Sequence, residues 1–322
     1  MLEFGTYPTP VACLQQLSTA KTTLWVKRDD LTSGVYGGSK LRKLEPLLED
    51  AKKRGATKIV TIGAVGSHHV LATGVFGKLA GLQVEAVVLR QPCSPHVLET
   101  VRASIGQGVE LVSAKSYAEA LQLLAVREAR GAYLIPAGGS NLVGSRGLLA
   151  AALELAEQVQ AGVLPEPDLL VLAFGSGGTA AGLAAGLVRS GLRTRVLAVA
   201  VAEPIEVFSY KARALAKALT DPSSRAEVCA RIEIERRYLG AGYGRPTHAS
   251  EQAMREAARS GLRLDDTYTA KAFAAAQDRV ALGAERHVLF WNTLSSAELA
   301  PLLALAPAEH ELAVDIRGLA EP

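Results

Sequence analysis

The feature that most constrains this chain is an alternation of short apolar runs with longer stretches of helical periodicity. Runs of strand character are Ile59–Gly63, Val84–Leu89, Val109–Val112, Tyr133–Pro136, Leu169–Phe174, Val196–Val201 and His287–Trp291. Between them apolar residues recur at i, i+3, i+4 and i+7, as at Leu41, Leu44, Leu47, Leu48 and Ala51, and again at Ala118, Leu121, Leu124 and Ala125. Strands apolar on both sides and separated by helices require parallel sheets covered on both faces, so the fold class is α/β. With 322 residues the chain has the length of about two domains of roughly 150 residues each. The stretch 158–168, which contains AGVLPEPD, reads as a linker. Two sheets with a cleft between them follow, and clefts between domains are favoured ligand sites.

Composition excludes several classes. An apolar share of 49% with 21% charged residues rules out intrinsic disorder. The 35 Lys and Arg nearly balance 32 Asp and Glu, and aromatics are 5%, so no basic face interleaved with aromatics points to nucleic acid. Cys13, Cys93 and Cys229 form no CxxC or Cys/His ligand spacing, and neither a disulfide framework nor a metal site is expected. The first residues, MLEFGTYPTP, lack the basic and apolar regions of a secretory signal, so a cytoplasmic location is expected. The run Leu169–Val188 is free of charge over twenty residues, nominally enough to cross a bilayer. Its five glycines favour a strand, a glycine loop and a helix, and no membrane contact is expected.

Five segments could carry chemistry. In GSGGTAAGL, Gly175, Gly177 and Gly178 let backbone N–H groups converge where a helix begins, and Ser176 and Thr179 add hydroxyl donors. That suits a phosphate, against the alternative of a plain strand-to-helix turn. It is neither a dinucleotide fingerprint nor a Walker loop. In VYGGSKLRKLE, Ser39 can cap a helix and Lys40 falls in its first turn, where the macrodipole disfavours a cation and lowers its pKa. Such a lysine suits covalent chemistry with a carbonyl, against the alternative of a solvated surface lysine. In TIGAVGSHHVLATG, Ser67 and the amides beside it could hold a carboxylate. His68 and His69 point in different directions from a helix, so at most one faces a ligand. Finally, Tyr268 and Thr269 open a helical stretch, and a strand ending at Trp291 delivers Thr293 to the carboxyl edge of a sheet, where open α/β sheets bind ligands. Each of these also has a plain structural reading, as a boundary tyrosine or a turn hydroxyl.

Taken in order, GGSKLRKLE, GSHH, IPAGGSN, GSGGTAAGL, GYGRP and YTAKAF resemble the pyridoxal-phosphate enzymes related to D-cysteine desulfhydrase and 1-aminocyclopropane-1-carboxylate deaminase, of the tryptophan-synthase-β-like fold type. The resemblance runs from Tyr7 to Thr293 and implies two parallel-type α/β domains with the cofactor in the cleft between them. It implies a large domain from residues 1–52 plus 159–322, a small one from 53–158, and a homodimer. It matches Lys40 to the lysine that carries pyridoxal 5'-phosphate, Gly175–Thr179 to the phosphate cradle and Ser67 to the serine at the substrate carboxylate. Tyr243 and Tyr268 match tyrosines near the substrate, with Lys40 or Tyr268 expected to transfer the Cα proton and Tyr268 or Tyr243 to assist the leaving group. His68, Thr269 and Thr293 fall at cofactor positions, Thr293 at the ring nitrogen, and His68 and His69 at substrate positions.

The resemblance also implies a substrate. Thr269, where cyclopropane-carboxylate deaminases have Glu, resembles the D-cysteine desulfhydrase branch, as do His69 and Thr293. The expected reaction is α,β-elimination from a small β-substituted amino acid, foremost D-cysteine. The alternatives are opening of a cyclopropane amino acid, elimination from cysteate or a diamino acid, and a non-catalytic anion- or nucleotide-binding module. Five positions depart from the family pattern: Ser39 for Asn, Gly66 for Gln, His68 for Asn, and Leu294–Ser295 for Gly-Gly.

Overall fold

In a computed structural model, described over Leu2–Ala320, the apolar runs form two sheets. Ten strands occur in chain order: β1 (Val11–Cys13), β2 (Thr23–Lys27), β3 (Lys58–Ala64), β4 (Gln83–Leu89), β5 (Val109–Ser113), β6 (Tyr133–Ile135), β7 (Leu169–Phe174), β8 (Arg195–Ala200), β9 (Ile232–Glu235) and β10 (His287–Trp291). Helices are α1 (Ser39–Lys53), α2 (His68–Leu79), α3 (Pro95–Gly106), α4 (Tyr117–Ala129), α5 (Leu142–Gln160), α6 (Gly178–Ser190), α7 (Ile205–Ala218), α8 (Arg225–Ala230), α9 (His248–Arg259), α10 (Thr269–Leu282) and α11 (Val314–Gly318). Every expected strand is present within a residue or so at each end. The three not expected from sequence have physical reasons to be hidden. β2 carries the charged Lys27, and β9 is a short edge strand reading IEIE, whose polar residues mask it. β1 has only three residues.

The chain divides into two compact units. One comprises Gly5–Lys43 and Asn141–Ser296 and holds a six-stranded sheet in the order β1-β2-β10-β7-β8-β9, parallel except where β1 pairs antiparallel with β2. The other comprises the segment up to Phe4, Leu44–Ser140 and the segment from Ala297, and holds a four-stranded parallel sheet in the order β5-β4-β3-β6. The limits near 43 and 140 lie some residues before those expected at 52 and 158, so α5 belongs with the six-stranded sheet, and the residues from 297 belong with the four-stranded one.

The charge-free run resolves into β7, in the middle of its sheet, then a loop and α6. Its glycines serve helix packing: a Cβ on Gly182 would stand 2.4 Å from the Ser145 carbonyl oxygen, and one on Gly186 would stand 2.5 Å from that of Leu149, both on α5. Small residues at this spacing let two helix backbones touch, as they do in membranes. Among the described residues no helix is long and apolar enough to cross a bilayer. A similar fit joins α5 to α1. Pro46 has no N–H for the Arg42 carbonyl one turn back, and Gly147 seats against that oxygen, where any side chain would collide. The apolar stripe read from α1 is fully buried. That on α4 is corrected: Ala118, Leu121 and Ala125 are exposed, and Ala120 and Leu124 face the core, joined by the partly buried Leu123.

Candidate active site

In the six-stranded unit Lys40 lies in the first turn of α1, and that turn is held by backbone packing. Gly38 has φ +94, and a Cβ there would stand 2.7 Å from the Thr293 carbonyl oxygen. A Cβ on Gly37 would meet the Asp30 carbonyl at 2.3 Å. The double glycine is therefore required for α1 to start against the segment after β10. Two hydrogen bonds fasten it there, from the Ser39 N–H to the Thr293 carbonyl at 3.2 Å and from the Gly37 N–H to Ser295 Oγ at 2.9 Å. The departure at Ser295 thus has a structural task. Ser39 does not cap α1: its hydroxyl donates to Asp29 at 2.8 Å.

Burial lowers the Lys40 ammonium below the usual lysine range, and the carboxylate of Asp265 opposes the shift. Its Nζ lies 5.8 Å from the centre of the Tyr268 ring. The hydroxyls of Tyr268 and Tyr243 are 2.7 Å apart, with the rings edge to face at 5.7 Å. Burial raises both phenols: Tyr243 to about 12, its bond with Tyr268 restraining the rise, and Tyr268 well above the ordinary value, with Tyr243 adding to the effect. Both are protonated near neutral pH. Tyr243 is held by Lys271, whose ammonium donates to the carbonyls of Leu239 (2.7 Å) and Gly242 (3.2 Å) in the loop before it.

Asp265 organises the start of α10. Its carboxylate accepts the N–H groups of Tyr268 (2.8 Å) and Thr269 (2.9 Å) and the Thr269 hydroxyl (2.5 Å), while the Asp265 N–H donates back to Thr269 Oγ1 at 2.8 Å. Thr269, expected at the cofactor, is buried and spends its hydroxyl on Asp265. Asp265 and Lys271 were not singled out from sequence. An aspartate just ahead of a helical stretch is an N-terminal signal that could have found the first. No local pattern announces the second.

Gly175–Gly177 link β7 to α6. Gly177 has φ +89, and a Cβ on it would crowd Ala212 Cβ and the Phe208 carbonyl on α7, both at 3.0 Å. Gly175, Ser176 and Thr179 are partly exposed, Gly177 and Gly178 buried. A Cβ on Gly175 would be 3.6 Å from Tyr268 Cε1, so one ring neighbours both the glycine loop and Lys40.

In the four-stranded unit the expected turn lies between β3 and α2. Ser67 is buried and caps α2, its Oγ accepting from the His69 N–H at 3.2 Å. The two histidines diverge. His69 Nε2 meets Thr61 Oγ1 at 3.0 Å. Because that hydroxyl donates to the Ile135 carbonyl at 2.8 Å, the imidazole donates from Nε2 and is built into the sheet. His68, partly exposed, meets His96 of α3, Nε2 to Nε2 at 3.1 Å, a partner not foreseen from sequence. Gly66 donates to Gln91 Oε1 at 3.3 Å, and a side chain there would run into Val97, which accounts for the missing Gln.

Residues 2–293 match the family described as pyridoxal-phosphate dependent enzyme. The chain belongs to this family. It is 35% identical to a D-cysteine desulfhydrase of Klebsiella pneumoniae over 87% of this chain and 88% of that one. It is 34% identical to a Thermotoga maritima protein provisionally named 1-aminocyclopropane-1-carboxylate deaminase, over 91% and 95%. The crystal structure of an ACC deaminase homologue superposes with a TM-score of 0.78 at 30% identity, covering 94% and 95%. This is a pyridoxal-phosphate dependent enzyme of the group that carries those two names, with the fold of that group.

The residues of this pyridoxal-phosphate enzyme fit its cofactor. An aldehyde needs an amine that sheds its proton easily, which burial gives Lys40. A phosphate needs backbone amides at a helix start, and the glycine loop ending at Gly177 leads into the start of α6, with no side chain capping it. Lys43, on the same helix as Lys40, is also lowered well below the usual range, by burial and by the charges of Lys40 and Lys211. Among the described residues no cluster of three or more His, Cys, Asp or Glu could hold a metal.

Proposed function

We propose that this enzyme catalyses α,β-elimination from a small β-substituted amino acid, foremost D-cysteine, which with water gives pyruvate, ammonia and hydrogen sulfide. The observation that carries the reading is a partly buried amine with a lowered proton affinity beside a pair of protonated phenols around one tyrosine ring. Elimination needs a base at Cα and an acid at the departing β-substituent, and these groups divide into those roles. Pyridoxal phosphate held by Lys40 and Gly175–Thr179 would withdraw electrons from Cα. Lys40, once released, would take the Cα proton, and Tyr268, backed by Tyr243, would donate to the leaving sulfur. Ser67 and the amides at the head of α2 would receive the substrate carboxylate, with His68 beside them. Thr293 would meet the ring nitrogen as a hydroxyl, which does not keep the ring protonated as a carboxylate would, and so favours elimination over transamination.

A D-cysteine desulfhydrase among the relatives supports this substrate class. Relatives named for cyclopropane-carboxylate deamination support a second reading, ring opening, against which Thr269 stands where the resemblance gives deaminases Glu. We propose a homodimer in the cytoplasm as the working form. The test is the visible spectrum of the purified protein with each substrate, scored by sulfide and pyruvate. Release of both from D-cysteine is expected. A yellow protein that makes 2-oxobutanoate from the cyclopropane acid and ignores D-cysteine overturns the elimination reading. A Lys40→Ala variant that keeps a covalently bound cofactor overturns the assignment of the lysine.

A further inference from the structure

Asp29 is wholly buried, and its carboxylate serves more donors than an ion pair requires. Arg42 spans both oxygens, with Nε at 2.9 and 3.0 Å and Nη2 at 2.8 Å from Oδ1, and the Thr9 hydroxyl donates to Oδ1 at 3.0 Å. The remaining capacity of Oδ2 goes to two groups far apart in sequence, Ser39 Oγ at 2.8 Å and the Trp291 indole N–H at 2.7 Å. The Asp29 backbone carbonyl also accepts the Gly38 N–H at 2.9 Å. Burial would raise this carboxyl, but Arg42, then Trp291 and Lys27, hold it below the usual carboxylate range. Arg42 is itself fixed to Glu154, at 2.9 and 3.0 Å, and Glu154 to Lys27, so the acceptor is rigid.

Ser39 immediately precedes Lys40, and Trp291 stands two residues before Thr293. One oxygen thus ties together the two segments that end at the amine and at the hydroxyl expected at the cofactor ring. We propose that Asp29 is a positioning residue that fixes Lys40 relative to the Thr293 segment through Ser39 and Trp291. The inference rests on Lys40 being the cofactor lysine. A carboxylate with several charge-assisted bonds resists displacement more than a neutral acceptor does, and small errors in the placement of a reacting group are costly.

The test uses the holoenzyme and the variants Ser39→Ala and Trp291→Phe, each of which removes one donor and leaves Asp29 paired with Arg42. Three quantities are read: the pH midpoint of the cofactor's visible band, the retention of cofactor on dilution, and the thermal midpoint. Each variant is expected to move the band's pH midpoint and to weaken retention by about tenfold, the size of one hydrogen bond to a charged group. Trp291→Phe also leaves a space in the core and lowers the thermal midpoint. Ser39→Ala removes a single oxygen and should barely move it, so it decides the matter if the tryptophan variant folds poorly. Variants that lose thermal stability while the band and the retention stay as in wild type overturn the positioning role. A Lys40→Ala variant that keeps a covalently bound cofactor overturns instead the assignment of the lysine on which the inference rests, and the two failures are distinct.

Discussion

Two helix starts in this molecule share a sequence shape and use it in opposite ways. Gly38–Ser39–Lys40 opens α1 in the six-stranded unit, and Gly66–Ser67–His68 opens α2 in the four-stranded one. Ser67 Oγ accepts the N–H of His69 in its own helix, a bond that does not use its O–H, whereas Ser39 donates its O–H to a buried carboxylate. The first arrangement is local and self-contained. The second ties the helix start to Asp29, and through it to Trp291, Arg42 and Thr9. The same unit repeats the device at α10, where Asp265 takes both backbone amides and the Thr269 hydroxyl. The covalent chemistry proposed at Lys40 needs fixed atoms, and buried carboxylates hold the segments that carry Lys40 and Tyr268. The serine turn is lightly built, and two departures from the family pattern, Gly66 and His68, fall there.

If that contrast holds, changes around Tyr268 should hurt the rate and changes around Ser67 should hurt binding. Tyr268→Phe is expected to lower kcat by about 10²–10⁴, the usual worth of a placed general acid, with the cofactor band intact. Tyr243→Phe should cost less, since it removes only the partner hydroxyl at 2.7 Å. Steady-state kinetics on D-cysteine check both, and a Tyr268→Phe enzyme within threefold of wild type would remove the phenol from the chemistry.

Gly177→Ala attacks the proposed phosphate cradle. At φ +89 an alanine is strained by about 1–2 kcal/mol, and its Cβ presses on Ala212 and the Phe208 carbonyl. Cofactor affinity should fall roughly tenfold, measured by titrating the cofactor-free protein. Ser67→Ala should cost about 1 kcal/mol of stability from the lost cap, seen as a lower denaturation midpoint. It should raise KM about tenfold with kcat little changed, since a single hydrogen bond to a charged carboxylate is at stake. A fall in kcat with KM unchanged would break the division of labour between the two turns.

The pH dependence sharpens the same contrast. Burial lowers the folded Lys40 ammonium, so its neutral amine is present at lower pH than in a free lysine. The rate at which cofactor-free protein captures pyridoxal phosphate should rise with pH and level off below the ordinary lysine value of about 10.4. Asp265 opposes this shift, so Asp265→Asn should move the midpoint further down. A midpoint at the free-lysine value in wild type would show that burial is not setting the amine.

The fold was legible because its strands are apolar on both faces, and β7 and β10 stand out as VIL-rich and aromatic runs. The β2 strand was not, because Lys27 belongs there only by virtue of Glu154 and Gln158, more than a hundred residues on. The sites divide along the same line. The glycine turn at 177 and the place of Lys40 in the first turn of a helix could be read because backbone geometry is a local matter, whereas the burial that lowers Lys40, a shift expected from the helix dipole instead, is not. Asp29, Lys271 and His96 could not, since each acts on groups that only the tertiary fold brings near. Thr269 shows the reverse hazard, a residue in a telling position whose hydroxyl turns to its own helix start.

The smallest effect concerns His68 and His96. Two Nε2 atoms at 3.1 Å can be joined only if one carries a hydrogen and the other a lone pair, so the tautomer of His68 is coupled to that of His96. His69 has no such freedom, since Thr61 fixes it as an Nε2 donor. Replacing His96 with Ala should therefore change the ring nitrogen shifts of His68 in a 15N spectrum and leave those of His69 alone. Stability should move by about 1 kcal/mol or less, the net worth of one hydrogen bond. The KM for D-cysteine should change by a few fold, because the group offered by His68 changes while Ser67 stays in place. Unaltered His68 shifts would mean that the tautomer is set elsewhere, and the serine turn would then be as firmly determined as the lysine it is contrasted with.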